Sequence, residues 1–354
     1  MIKTSIPLLG FGLLCPMAGA ASLQYVVTAT IDNFVGASIN NSGEIVGHSG
    51  NIAQIYRAGG LTSLGTLVPS DTRSFATSIN NDGAIVGYSQ TSSTSTRKGF
   101  LSTDGSSLVA LAATPGTSLN VANGINDAGV IVGQYSSGFT SQGWILNGST
   151  LTSVPGLVEG GSTSATAINS IGWVTGAAAT AINQSPTVGY LYDGATITSL
   201  GTLGGTVSNG LSINDLGNIV GSSTITGSAS SANRAFYYNE GTMINLQAGT
   251  VWENFGGYAN AINNSNQVVG YFSGAGGTAF LWEDGELYDL NDLLESPIGA
   301  TAFTAVDIND QGQILVTYGP AAAKVTAVLS PVPEPSAVFL GSLGLLALLR
   351  RRRC

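Results

Sequence analysis

The sequence predicts an all-β fold: a seven-bladed β-propeller of four-stranded antiparallel blades, closed by an N-terminal strand that completes the last blade. Three observations lead there. A phrase of small residue, Ile, Asn, two turn residues, Gly, any residue and Ile-Val-Gly recurs with its Asn at Asn40, Asn80, Asn126, Asn169, Asn214, Asn263 and Asn309. The separations of 40, 46, 43, 45, 49 and 46 residues match the length of a four-stranded blade. Apolar residues fall in short runs bounded by Gly, Asn and Ser, with 49 Gly and only 9% charged residues, the composition of many short strands and tight turns.

Each phrase reads as strands a and b joined by a tight turn. In the second copy Phe75 to Ile79 is strand a, Asn80-Asn81-Asp82-Gly83 the turn and Ala84 to Tyr88 strand b. Asn at the first position and Gly at the fourth suit a type I turn whose last residue needs positive φ. In the sixth copy Asn266 replaces that Gly, and asparagine best tolerates the left-handed region after glycine. A second hairpin supplies strands c and d, as in Phe100 to Gly105 with Leu108 to Leu111, Tyr190 to Gly194 with Ile197 to Leu200, and Phe280 to Gly285 with Leu287 to Leu290. Asp104-Gly105, Asn147-Gly148, Asp193-Gly194 and Asp284-Gly285 mark its turns. The seventh copy has strands ending at Ile308, over Ile314 to Tyr318 and near Val325 to Leu329, and then no fourth strand. An unpaired strand over Leu23 to Ile31 precedes the first phrase, so donating it to the last blade removes two exposed edges.

Charge and cysteine content narrow the functions. From Ala21 to Pro331 there are 19 acidic against six basic residues, a surface that repels phosphate backbones, so nucleic acid is not an expected partner. Cys15 and Cys354 lie in the terminal segments, which leaves the repeat without a disulfide, a thiol nucleophile or a cysteine metal site. His48 is the sole histidine; it is expected as an exposed residue at a strand end, and no metal or other cofactor is expected.

The ends read as addresses. Residues 1–20 form a signal peptide, expected to be helical like the C-terminal targeting segment: Lys3 supplies positive charge, Ile6 to Leu14 an apolar stretch, and Ala18, Gly19 and Ala20 a small-residue cleavage site before Ala21. A lipoprotein role for Cys15 fits poorly, because Leu13 and Leu14 stand where small residues belong. Residues 21–331 hold the seven repeats. Residues 332–354 run in strict order: Val332, Pro333, Glu334, Pro335; an apolar stretch from Ala337 to Leu349; then Arg350, Arg351, Arg352 and Arg353. As a helix the 13-residue stretch spans about 20 Å against a hydrocarbon core of about 30 Å, suited to transient rather than permanent inner-membrane insertion, with the arginines cytoplasmic.

This terminal pattern resembles the PEP-CTERM sorting signal of Gram-negative bacteria. The resemblance implies passage across the inner membrane, processing by an exosortase-type enzyme and delivery to the cell surface or matrix, often in bacteria that make exopolysaccharide. The Ile-Asn phrase and aromatic pairs such as Phe280-Leu281-Trp282 resemble the HAF-type extracellular repeat, which implies an extracellular repeat protein and no particular activity.

Strand direction places the short, near-identical a–b and c–d turns on one face and the longer, variable b–c and d–a connections on the other. Binding in repeat folds favours the variable face. Its candidate ligand residues are Asp71, Arg73, Arg97, Lys98, Arg234, Trp252, Glu253, Asn254 and Phe255. Trp252 either stacks on a sugar ring or packs between blades. The repeated asparagines are expected to act as local turn caps. Calcium at turn acids such as Asp82, Asp127, Asp215 and Asp310 is open, although no copy has a dense carboxylate loop. Catalysis finds little support: most acids sit in the turns away from the variable face, Glu283, Asp284, Glu286, Asp289, Asp292 and Glu295 read as solvated surface, and no serine has a histidine partner. The expected function is non-enzymatic: a surface-sorted protein that binds or structures extracellular polysaccharide. A purely structural matrix protein and a glycan hydrolase or lyase are the alternatives.

Overall fold

The computed structural model describes residues 23–332 apart from 94–96, 112–118, 138–139, 183–186, 228–232, 275–276, 299–302 and 321–322. The cleavage residues Ala18, Ala20 and Ala21, the sorting residues Pro333, Glu334, Pro335 and Arg350, Arg351, Arg352 and Arg353, and the helices expected at both ends lie outside the described residues. Residues 1–24 with 332–354 make one unit, of which Leu23, Gln24 and Val332 are described; Tyr25–Pro331 makes the other.

The second unit consists of seven four-stranded antiparallel sheets. Six take four consecutive strands, beginning with Val35–Ile39, Ile45–Ser49, Ile52–Arg57 and Gly60–Gly65. In the seventh, strands a, b and c are Phe303–Ile308, Ile314–Tyr318 and Val325–Pro331, and the outermost strand is Tyr25–Asp32. It runs antiparallel to Val325–Pro331 in a register from Tyr25 opposite Pro331 to Asp32 opposite Val325. The a strands are innermost, each packed against the a strands of both neighbouring sheets, including the first against the seventh.

Local chemistry explains why the phrase folds this way. The turn glycines adopt positive φ, from 72° at Gly312 to 89° at Gly172, and Asn266 takes the same conformation at 63°. Every a–b ladder then carries a bulge at the same repeat position, as between Ala76 and Ser78 or Ala305 and Asp307, and the fifth has a further shift between Gly204 and Ser208. A bulge turns two successive side chains toward one side, so Thr77 with Ser78 and Val306 with Asp307 both line the central channel. The Gly of Ile-Val-Gly lies beneath a large ring. In the second blade Gly87 stands opposite Phe100 in register, and a Cβ there would lie 2.1 Å from the Phe75 carbonyl oxygen and 2.8 Å from the Phe100 ring. In the seventh blade Val316 replaces the glycine and its partner is Ala327, so volume moves from strand c to strand b.

Hydrophobic clusters lie between successive sheets: Val46, Ile55 and Leu64 of the first blade meet Ala76, Ile79, Ile85 and Phe100 of the second. Strands extend beyond their apolar cores. Strand a of the second blade is Arg73–Ile79 rather than starting at Phe75, and strand b is Ile85–Gln90, because Arg73 and Ser74 pair with Gln90 and Ser89. The backbone ladder continues where hydrophobic alternation has stopped.

Candidate functional site

The face of short turns is built as a collar. Each repeated asparagine is buried, and its Oδ1 accepts a hydrogen bond at 2.8–3.0 Å from the backbone N–H four residues on: Glu44, Ala84, Val130, Trp173, Asn218, Gln267 and Gln313. That is the expected cap. Its Nδ2 does more, donating to the backbone carbonyl of the corresponding asparagine in the next blade: Asn40 to Asn80, on through Asn126, Asn169, Asn214, Asn263 and Asn309, and from Asn309 back to Asn40, at 2.8–3.1 Å. The seven side chains form one closed ring of inter-blade hydrogen bonds.

A second ring lies one residue further on. The backbone N–H groups of Asn41, Asn81, Ser170, Asp215, Asn264 and Asp310 each donate at 2.9 Å to the side-chain oxygen of the corresponding residue in the following blade. It breaks where the acceptor would be Ser170, whose side chain is shorter. Asp127, Asp215 and Asp310 are thereby occupied as acceptors, and among the described residues no cluster of three or more potential metal ligands is present.

Deeper in the channel, Thr77 Oγ1 donates to the Ala122 carbonyl, and the Nδ2 groups of Asn123 and Asn260 donate to the Ala165 and Ala305 carbonyls. Between the seventh and first blades Val306 holds this position, and a carboxylate one residue further along makes the inter-blade bond. Asp307 Oδ2 accepts from the Ile39 N–H and its Oδ1 from the Ile308 N–H, both at 2.9 Å. It is the sole charged residue among the described residues that line this deeper part of the channel. Burial raises its pKa to about 6, against the lowering effect of those hydrogen bonds and one to Ser38. Neither the inter-blade asparagine bonds nor Asp307 was expected, because both depend on which residues neighbouring blades bring together.

The variable face gathers some of the expected residues and separates others. Asp71, Arg73, Arg97 and Lys98 meet at one end of the second blade. Arg73 is the register partner of Gln90, and Gln90 Oε1 accepts from Arg97 Nε at 3.0 Å. The Arg97 guanidinium lies over the Tyr88 ring, 4.8 Å from its centre. Lys98 pairs with Ser89, and its Nζ is 3.9 Å from Oδ1 of the buried Asp71, whose Oδ2 accepts from Ser89 Oγ. His48 is half-buried rather than exposed: its ring meets Phe75 edge-on at 4.9 Å, and burial lowers its pKa.

Arg234, Trp252 and Glu253 sit in and beside the fifth blade. Arg234 does not belong to the open face: it is 5% exposed, with Nη1 on the Asn233 carbonyl, because its strand carries it into the blade packing. Trp252 is half-buried and stacks on Phe272 at 5.4 Å, the inter-blade packing alternative. Glu253, Asn254 and Phe255 stay exposed, and their loop is pinned by Gln247, which donates to the Trp252 and Phe255 carbonyls. Beside the loop, Tyr258 and Tyr271 stack at 5.2 Å, both half-buried, and Asn233 Nδ2 donates to the Tyr258 hydroxyl. Sequence reasoning passed over this pair, although Phe75 and Tyr88 occupy the same repeat positions in the second blade at 5.2 Å.

Fold and termini together define a class, a seven-bladed β-propeller carrying a C-terminal sorting signal. Residues 331–353 match the family model of the PEP-CTERM protein-sorting motif, which marks the chain for export and exosortase-dependent sorting to the cell surface. No curated protein matches the sequence. Among solved structures the chain is similar to the β-propeller domain of the Trilobed protease from Pyrococcus furiosus, at 12% identity and a TM-score of 0.48 over 85% of this chain and 92% of that one. It is similar to the acylaminoacyl peptidase of Pyrococcus horikoshii at 10% identity and a TM-score of 0.51, over 90% of this chain and 54% of that one, so it spans about half of that peptidase. The sialidase of Trypanosoma rangeli matches at 11% identity and a TM-score of 0.42, over 93% of this chain and 59% of that one. These likenesses concern the fold alone. Among the described residues no helix is long and apolar enough to cross a membrane.

Proposed function

We propose that this is a non-enzymatic, surface-sorted propeller that binds extracellular polysaccharide on its variable face, with its repeats of the HAF type. One observation carries the reading: the stacked pair Tyr258 and Tyr271, half-exposed beside the Asn233 amide and the exposed Phe255. Sugar rings present apolar faces that stack on aromatic surfaces and hydroxyls that pair with amides. On the opposite face the repeated amides are spent on holding blades together, which supports the variable face as the binding side.

Co-sedimentation of the full chain with the host's own extracellular polymer tests the reading. Wild type is expected to pellet with the polymer, and a Tyr258→Ala/Tyr271→Ala variant to remain in solution. Equal binding by both would move the site elsewhere. Absence of binding to any glycan would leave a structural matrix protein, and turnover abolished by one carboxylate substitution on the variable face would make it an enzyme. We further propose a signal peptide ending at Ala20 and a transient inner-membrane stage before the tail is removed. Intact mass from the native host, with and without Val332, Pro333, Glu334 and Pro335 changed to alanine, tests this: the wild type is expected to lack both ends and the variant to keep its tail.

A further inference from the structure

The variable face carries a second feature that the aromatic pair does not explain. Between Ala21 and Pro331 acids outnumber bases by 19 to six, yet three of those six bases, Arg73, Arg97 and Lys98, lie at one end of the second blade. Opposite residues in an antiparallel ladder have Cβ atoms about 5 Å apart. Arg73 sits opposite Gln90, which in turn holds Arg97, and Lys98, next in the chain and opposite Ser89, reaches Asp71, so the three cations gather at one end of the blade, Lys98 toward its other face. Like charges gathered in an otherwise acidic molecule repel one another, and packing does not demand the grouping: Lys98 is exposed and Arg73 and Arg97 half-exposed.

The patch is organised rather than loose. Arg97 lies over the Tyr88 ring and donates from Nε to Gln90, and among the described residues its Nη1 and Nη2 have no hydrogen-bond partner, leaving them as a fork for a ligand. Such a fork matches the two oxygens of a carboxylate. Among the described residues the Arg73 guanidinium has no side-chain partner. Asp71 is the one acid at the patch; it is buried, its Oδ1 lacks a hydrogen bond, and it holds the Lys98 head group from beneath at 3.9 Å.

We propose that Arg73, Arg97 and Lys98 bind the carboxylate groups of an acidic polysaccharide, a uronate-containing glycan. The proposal rests on the reading of the variable face as a polysaccharide-binding surface and adds the chemical class of the ligand. Three cations on one blade suit a polymer bearing at most one carboxylate per sugar. The closely spaced phosphates of a nucleic acid would extend past the patch onto acidic surface.

Affinity electrophoresis of the full chain in polygalacturonate, in the same polymer with its carboxyls reduced to alcohols, and in dextran sulfate tests the assignment. Wild type is expected to bind polygalacturonate most tightly, and Arg73→Gln/Arg97→Gln/Lys98→Gln to lose about tenfold or more of that affinity. Binding of the reduced polymer is expected to stay unchanged in the triple variant, which also shows that the variant is folded. Arg57→Gln, which removes a cation paired with Glu44 on the opposite face, serves as the charge control and is expected to bind as wild type. The proposal is overturned if polygalacturonate and its reduced form bind equally, if the triple variant matches wild type, or if dextran sulfate binds as tightly as polygalacturonate. Binding of the reduced polymer without carboxylate preference would sink this assignment alone, whereas failure to bind any of the three would sink the polysaccharide reading with it.

Discussion

Asn169 shows how much one side chain does in this fold. Its Oδ1 caps the turn at the Trp173 N–H, and its Nδ2 ties the fourth blade to the Asn214 carbonyl of the fifth. Asn169→Ala removes both bonds, leaving the part-buried Trp173 N–H without its acceptor and the buried Asn214 carbonyl with the Gly217 N–H alone, a cost of about 1–2 kcal/mol. Urea unfolding is expected to show that loss, while Ser170→Ala in the adjacent position, where the second ring is already broken, is expected to change stability by less than about 0.5 kcal/mol. Half of the asparagine's role was legible in the sequence, since the first position of a type I turn calls for a cap. The other half was not, because the acceptor lies some 45 residues away in a neighbouring blade. Asp307 was invisible for the same reason. Folded, its carboxyl keeps its proton up to about pH 6, whereas unfolded it releases it near 3.8. Between those values the folded state binds more protons, so this group's contribution falls as pH rises through that window, by up to about 3 kcal/mol in all. Subtracting the stability profile of Asp307→Asn from that of wild type across pH 4–7 is expected to isolate this decline; parallel profiles would show that the buried carboxyl does not titrate there.

At the scale of a strand, the repeated phrase is a packing rule. The glycine of Ile-Val-Gly leaves room for a ring, a strand-c ring in the second to sixth blades and Phe34 over Gly47 in the first: Gly221 lies opposite Phe236, and a Cβ at Gly221 would come within 1.9 Å of the Asn209 carbonyl oxygen. A backbone atom cannot yield as a flexible side chain does, so strand a must shift and its bulge with it. Gly221→Ala is expected to cost about 2–4 kcal/mol, read as a lower midpoint in chemical denaturation. By contrast Gly241, at positive φ in an exposed c–d turn, has open space around its Cβ, and its replacement by Asn is expected to cost under about 1 kcal/mol because asparagine tolerates that conformation. Strands and turns were readable because their signals are local: alternation, Asp-Gly pairs, Asn before Gly. The recurrent bulge was not, since nothing in the phrase marks Thr77 and Ser78 as both facing the channel. Nor could sequence order separate buried Arg234 from half-exposed Arg73, as both stand at the variable end of a strand.

Across the whole molecule, period gave the number of blades, while the closed circle of amide bonds emerges only when all seven copies stand side by side. That circle makes the last contact depend on the first: Asn309 must reach Asn40, and Asp307 must reach Ile39. The strand Tyr25–Asp32 lies at this seam. It covers the outer edge of Val325–Pro331, buries Tyr25 and Ile31, and donates the Tyr25 N–H to the Leu293 carbonyl. Without it the seventh sheet keeps three strands and exposes an unpaired edge, a template for pairing with other chains. Removal of Leu23–Asp32 is therefore expected to lower the thermal midpoint by more than any single substitution above and to produce soluble aggregates on size-exclusion chromatography. A synthetic peptide of the same ten residues, added in trans, is expected to restore both toward wild type, because the exposed edge of Val325–Pro331 offers it the same ladder. A truncated chain that stays monomeric and melts at the wild-type temperature would show instead that the asparagine ring alone holds the circle shut.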